Sequence, residues 1–273
     1  GFQISRLPVD RWGRISLEQL EEAITPATVL ISIQHANNEV GTMQPVERIG
    51  EIARERGVLF HTDAVQSIGK LPVNVSRIPV DLLSVSAHKM YGPKGVGALF
   101  IRRGTPALFS LVCGGSQEKK RRGGTENLPG IVGFGKACEL AARRLEEGEP
   151  DQIRTLRDYL DRRIRDLISE VQRFGHPESC LPNTLALGFK GTEGETLLIG
   201  LDLEGIAVST GSACSSGSAL PSPVLTALGV PHDEVNGSLR FSLGRHHTRQ
   251  DMDRVAETLA RRVALNREKT AAS

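Results

Sequence analysis

Apolar positions along the chain fall into two alternating patterns. Short, mostly apolar runs at 29–33, 58–60, 80–85 and 96–101 have the length and the flanking polar residues of strands. Between and after them, apolar residues recur at spacings of three and four. Leu17, Leu20 and Ile24 follow Ser16, which with Gln19 makes a capping box. Val46, Ile49 and Ile52 give a helix over 45–56 that Gly57 stops. A longer helical pattern runs from Leu128 to Val171, with Ile153, Leu156, Leu160, Ile164, Leu167 and Val171 on one side. Its interruption at Gly148-Glu149-Pro150 is the candidate domain boundary.

Beyond that boundary the pattern predicts an alternating strand at 184–189, a helix at 193–203, a short strand at 206–209 and another strand at 238–245. Ser222 followed by Pro223, with Gly229 beyond, predicts a short capped helix. Thr248 with Asp251 opens the last helix, whose inward side is Met252, Val255, Leu259 and Val263.

Strands separated by helices pair in parallel through right-handed crossovers, so the first part of the chain reads as a three-layer, mostly parallel α/β sheet. The expected division is a large domain over 1–148 and a smaller α+β domain over 149–273. In such a sheet the residues that end the strands gather along one edge, where ligands bind. Here they are Asn38, Asp63, Gln66, Ser86, His88 and Lys89.

Composition narrows the function classes. Charged residues are 24% of the 273 and nearly balanced, at a net +2, which speaks against disorder and against a dedicated nucleic-acid surface. The cationic stretch Lys119–Arg122 lies in a glycine-rich loop without interleaved aromatics, a weak nucleic-acid signal. No apolar run reaches the ~20 residues that span a bilayer, and a cytoplasmic protein is expected. Four cysteines, Cys113, Cys138, Cys180 and Cys214, form no CxxC pair, so neither a zinc site nor a disulfide framework is indicated. His246 and His247 lack a third ligand at a suitable spacing, and no metal is expected.

The chemistry concentrates at 81–97, where a strand ends in Ser86-Ala87-His88-Lys89 and turns into a second strand. A lysine at the lip of a buried strand can snorkel to solvent, or can be desolvated and react with carbonyls. Asp63 ends the neighbouring strand, where an acid suits a protonated pyridine nitrogen. Cys214 stands among Gly211, Ser212, Ala213, Ser215, Ser216 and Gly217, unlike a packed structural cysteine. Arg240, on a strand, offers a planar fork for a carboxylate. His35 and His61 at strand ends read as satisfied, partly buried imidazoles.

The segments HANNEVG (35–41), HTDAVQSIGKLP (61–72), SAHKMYGPKGVGAL (86–99), RRGGTEN (121–127), STGSACSS (209–216) and LRFSLGR (239–245) resemble, in order and spacing, the class V aminotransferase-like cysteine desulfurases of the NifS and IscS type. The resemblance implies a fold-type I pyridoxal-phosphate enzyme acting on L-cysteine. Lys89 would carry the cofactor and move the substrate's α-proton. Ser86, His88 and a partner subunit's Thr125 would hold the phosphate, Asp63 the ring nitrogen, and Gln66 and Asn38 the phenolic oxygen. Asn38 and Arg240 would face the substrate, and Cys214 would accept its sulfur. A homodimer passing sulfur to an acceptor or iron–sulfur scaffold protein is implied, with a selenocysteine lyase and a non-catalytic remnant of the fold as alternatives. The family ordinarily has a segment before the equivalent of Gly1, with a phosphate-binding turn and a ring-stacking histidine, and these 273 residues are expected to hold the cofactor weakly without it.

Overall fold

The computed structural model describes residues 1–210 and 221–271. In chain order the first elements are α1 (Leu17–Ala23), β1 (Leu30–Ser32), α2 (Val46–Glu55), β2 (Leu59–Asp63) and β3 (Leu82–Ser86). A 3₁₀ turn (Ala87–Met90), β4 (Gly97–Ile101), a single turn α3 (Gln117–Lys120) and α4 (Leu128–Glu146) follow. The remainder is α5 (Glu149–Leu167), β5 (Val171–Phe174), β6 (Thr184–Phe189), α6 (Gly194–Asp202), α7 (Pro223–Ala227), α8 (His232–Asn236), β7 (Ser238–Ser242) and α9 (Arg249–Ala271). These elements cluster into two compact units, one of Ile24–His35 and Pro45–Glu147, the other of Gly1–Ala23, Ala36–Gln44 and Gly148–Ser273. Residues 1–23 and 36–44, which the sequence reading places in the first domain, thus group with the second.

The first unit is built on the sheet β1-β2-β3-β4. β1, β2 and β3 pair in parallel, and β4 returns antiparallel to β3 with Ser86 opposite Gly97. The antiparallel return follows from the short connection, since a parallel one needs a dozen or more residues to cross over. α2 packs on β2. It buries Val46, Ile49, Ile52 and Ala53 at helical spacing, and Phe60 and Thr62 of β2 are buried with them. Gly57 ends it with φ of 67°, a conformation that costs other residues about 1 kcal/mol or more. Because side chains alternate, His61 and Asp63 point to the opposite face of β2 from Phe60 and Thr62.

The second unit is built on the antiparallel sheet β5-β6-β7. Leu185, Leu187 and Phe189 of β6 join Leu160 and Ile164 of α5, Leu197 and Leu201 of α6, and Leu259 and Val263 of α9 in one core. On the other face Ala186 packs with Val40, Phe174, Leu225 and Leu228. All six residues of β6 are therefore buried, where the sequence pattern predicts one wet face. The long helical pattern is broken at Gly148, with φ of 80°, and ends at Leu167 rather than Val171. Ile168 is already extended and Glu170 adopts φ of 55°, which turns the chain into β5. The short strand predicted at 206–209 is reduced to one bridge, Ser209 with Arg240.

Three predicted helix starts have the expected caps. The Ser16 hydroxyl accepts from Gln19 N (3.3 Å) and the Ser222 hydroxyl from Leu225 N (3.1 Å). Thr248 and Asp251 form a reciprocal box, with Thr248 N donating to Asp251 Oδ2 (2.7 Å) and Asp251 N to Thr248 Oγ1 (3.3 Å). Among the described residues no helix is long and apolar enough to cross a membrane.

Candidate active site

The parallel register sets the geometry of the first unit's polar edge. Asp63 pairs with Ser84, so Asp63 at the end of β2 and Ser86 at the end of β3 leave the sheet on the same side. This is the carboxyl edge at which open α/β sheets bind ligands. β3 stays extended through Ser86 and coils at once into the Ala87–Met90 turn, which lifts His88 and Lys89 out of the sheet. Tyr91 closes that turn in the left-handed region, φ 64°, while Gly92 N donates to Ala87 O (2.9 Å). Ser86 Oγ and His88 Nδ1 share a hydrogen bond of 2.7 Å. The Lys89 side chain is exposed, while Ala87 and Met90, on either side of the His88–Lys89 pair, are buried.

Asp63 is held by its own turn. Its Oδ1 accepts from Val65 N (2.8 Å) and its carbonyl accepts from His35 N (2.8 Å), leaving Oδ2 without a described partner. His35 is buried and pairs through Nδ1 with Ser67 Oγ (2.9 Å). His61 ties three strands together, with Nδ1 to Ser32 Oγ (2.8 Å) and Nε2 to Ser84 Oγ (2.9 Å). Burial holds both imidazoles below their ordinary range, and at His61 the charge of Asp63 opposes this in part. Both are the satisfied histidines that their strand-end positions suggest.

Lys70 is the residue the sequence does not flag. After the turn 64–69 its side chain folds back, and Nζ donates to Gln66 O (2.7 Å). Burial, and after it the neighbouring charge of Lys89, pushes its amine down to about 8. The turn rests on the lysine-bearing 3₁₀ turn, because a Cβ on Gly69 would come within 3.0 Å of Met90 Cβ. Ile68 packs there too, against the cluster of Met90 with Ala137 and Ala141.

Asn38 and Arg240 meet in the second unit, where Arg240 Nη1 donates to Asn38 O at 3.0 Å. Arg240 Nε is buried with no hydrogen-bond partner among the described residues. Thr125 is on the exposed loop before α4, and its carbonyl accepts from Arg122 Nη1 at 3.5 Å. The described contacts do not join it to Ser86 or His88. Cys214 lies outside the described residues. No group of three or more His, Cys, Asp and Glu is arranged to hold a metal ion among the described residues.

Residues 1–255 match the family described as aminotransferase class-V. The chain belongs to the class-V aminotransferase family. It is 50% identical over 261 residues to a cysteine desulfurase IscS of Dictyoglomus turgidum, covering 96% of this chain and 66% of that protein. It is 52% identical to a cysteine desulfurase IscS of Methanosarcina thermophila, covering 95% of this chain and 63% of that one. It therefore spans about two thirds of the length of these relatives. A solved NifS-like protein superposes with a TM-score of 0.89 at 38% identity, over 97% of this chain and 69% of its own. A structure titled as SspA in complex with cysteine superposes with a TM-score of 0.74 at 37% identity, over 91% and 68%. Class-V membership and these neighbours agree with the pyridoxal-phosphate transferase fold expected from the motifs.

Proposed function

We propose that this protein is an L-cysteine desulfurase that binds pyridoxal phosphate at the carboxyl edge of β2 and β3. The observation that carries the proposal is the common exit of Asp63 and of Ser86, His88 and Lys89 from adjacent parallel strands. The donor set suits the cofactor: an acid for the ring nitrogen, a hydroxyl and an imidazole for the phosphate, and an amine for the aldehyde. The neighbour solved with cysteine and the relatives named as cysteine desulfurases support the choice of substrate.

When bound, pyridoxal phosphate supplies an electron sink for bonds at an amino acid's α-carbon. Asp63 would hold the proton on the ring nitrogen through its carboxylate, and the family resemblance assigns Gln66 and Asn38 to the phenolic oxygen. Ser86 and His88 bind the phosphate, with Thr125 of a second copy of the chain. Lys89 would hold the cofactor through its amine and would move the substrate's α-proton with Nζ. Arg240 would receive the substrate carboxylate, and its Nε, which has no partner among the described residues, is a donor to spare. The Cys214 thiolate would take the sulfur of the substrate cysteine, the carbon–sulfur bond breaking and the former β-carbon taking a proton, which would leave alanine and a Cys214 persulfide able to pass its sulfur to an acceptor protein, such as an iron–sulfur scaffold.

Apolar side chains left in solvent favour a homodimer. Phe109 is fully exposed and Leu111 is 97% exposed, with Leu128 and Val132 also in solvent. The free thiols Cys113, Cys138 and Cys180 suit a reducing, cytoplasmic compartment.

The test is turnover of L-cysteine by the cofactor-loaded protein and by Cys214→Ala. The variant should keep its cofactor absorbance and lose alanine and persulfide production. Alkylation should locate the labile sulfur of the parent protein on Cys214. Persulfide on Cys113 or Cys180, or unchanged turnover in Cys214→Ala, would refute the assignment, and turnover of L-selenocysteine in place of L-cysteine would redirect it.

A further inference from the structure

Glu39 is a buried acid to which the proposed reaction gives no task. It is 7% exposed and lies in a tight turn closed by Asn37 N to Thr42 O (2.9 Å) and Gly41 N to Asn37 O (3.1 Å). The Asn37 side chain fixes the turn further, because its Oδ1 accepts from Glu39 N (2.8 Å) and Val40 N (3.0 Å). Two contacts extend from this turn. Ser222 Oγ donates to Glu39 Oε2 (2.5 Å) while accepting from Leu225 N, which ties the acid to the first turn of α7. The preceding residue, Asn38, gives its carbonyl to Arg240 Nη1. Arg240 is also paired through its backbone with Ser209, N to O at 2.6 Å, so neither end of this arginine is free to drift.

Carboxyl and guanidinium act on each other. Burial pushes the Glu39 carboxyl up, while the hydrogen bond from Ser222 and the charge of Arg240 pull it back down. A carboxylate in that position neutralises part of the field of Arg240 without taking its donors: one bond goes to the Asn38 carbonyl, and Nε has no partner among the described residues. A second carboxylate arriving at the guanidinium meets an arginine held in place, and also meets the repulsion of Glu39.

We propose that Glu39 is a positioning and specificity-setting residue that limits how tightly Arg240 grips the carboxylate of an amino acid. The proposal rests on the reading of Arg240 as the carboxylate receptor. Substrate and product alanine carry the same carboxylate, so a guanidinium at full strength would bind both too well and slow release. Glu39 sets the grip, and Ser222 keeps Glu39 in place.

The experiment uses the cofactor-loaded protein and 3-mercaptopropionate, which has the carboxylate and thiol of cysteine and no amine to react with the cofactor. Its Kd is measured by calorimetry, beside KM and kcat for L-cysteine and for L-cysteine methyl ester. Glu39→Gln keeps the shape and the acceptor for Ser222 and removes the charge. It should tighten 3-mercaptopropionate and lower the KM for cysteine by about three- to tenfold, the scale of one partly buried neighbouring charge. The ester, which has no carboxylate, should not respond. Glu39→Asp retains the charge and should bind like the parent protein. A folded Glu39→Gln with unchanged or weaker binding, or an equal shift for the ester, overturns the proposal. Arg240→Gln separates the two readings. If it weakens 3-mercaptopropionate while Glu39→Gln does nothing, only the role of Glu39 fails; if it leaves binding intact, the carboxylate assignment of Arg240 fails as well.

Discussion

Replacing Lys70 by Met should abolish a rise in stability that the parent protein shows in alkaline solution. The Lys70 amine is pushed down to about 8 in the folded protein from an ordinary value of 10.5, first by burial and then by the charge of Lys89. Between those values the unfolded chain binds a proton that the folded chain does not, so stability increases with pH across the window. It is fully gained above 10.5 and absent below 8. At about 1.36 kcal/mol per pH unit, the interval is worth roughly 3 kcal/mol. At pH 7 the substitution is expected to be nearly neutral, because it removes a buried ammonium together with its bond to Gln66 O, worth about 1.5 to 3 kcal/mol. Urea unfolding of both proteins from pH 7 to 10.5 isolates the effect, since the tyrosines and the other lysines cancel in the difference. The parent protein should gain roughly 3 kcal/mol on Lys70→Met across the window. A flat difference, or one that grows towards neutral pH, would show that the amine is not desolvated in the turn beneath Gln66.

Acid should weaken the fold through His35 and His61. Both are held low by burial, so as pH falls below 6.5 the unfolded chain protonates first and stability is lost; His35→Gln and His61→Gln should each flatten that loss in unfolding curves taken from pH 7.5 to 5. Gly41→Ala should destabilise by about 2 to 4 kcal/mol, because its φ is 77° and the added Cβ would lie 2.8 Å from Cys180 Sγ; adding Cys180→Ala should restore part of the loss in denaturant titrations. Lys89→Ala should leave no lysine that borohydride fixes to pyridoxal phosphate, and peptide mapping that finds label on Lys70 or Lys94 would contradict the anchor assignment.

Sequence pattern and structure agree where the determinants are local. The caps at Ser16 and Ser222 and the capping box at Thr248 depend on residues three apart, and the strand–turn–strand around Lys89 depends on one apolar run stopping and another starting. They differ where burial is decided by partners distant in the chain. β6 reads as half wet because Thr184, Ala186 and Gly188 interrupt its larger apolar residues, but Val40 and Phe174 cover Ala186 from the other side. Val171 continues a helical spacing by position alone, while the extended Ile168 and left-handed Glu170 have already ended the helix.

The same distinction explains which site residues could be found. Asp63, Ser86, His88 and Lys89 lie at or just beyond strand ends, on the carboxyl edge at which parallel sheets bind ligands, so a linear pattern suffices to nominate them. Lys70 and Glu39 end no strand. Each is defined by a contact across a turn or between remote segments: Lys70 with the carbonyl of Gln66, Glu39 with the hydroxyl of Ser222. Neither contact leaves a period or a spacing in the sequence. Their burial is nevertheless a reason to look for function, because a desolvated ammonium and a desolvated carboxyl each oppose folding and must be held by other interactions. A chain selected for stability alone would do as well with an uncharged residue at both positions. That an amine is kept beneath the Lys89 turn, and an acid beside Arg240, is the physical ground for expecting both to act on the charges they adjoin.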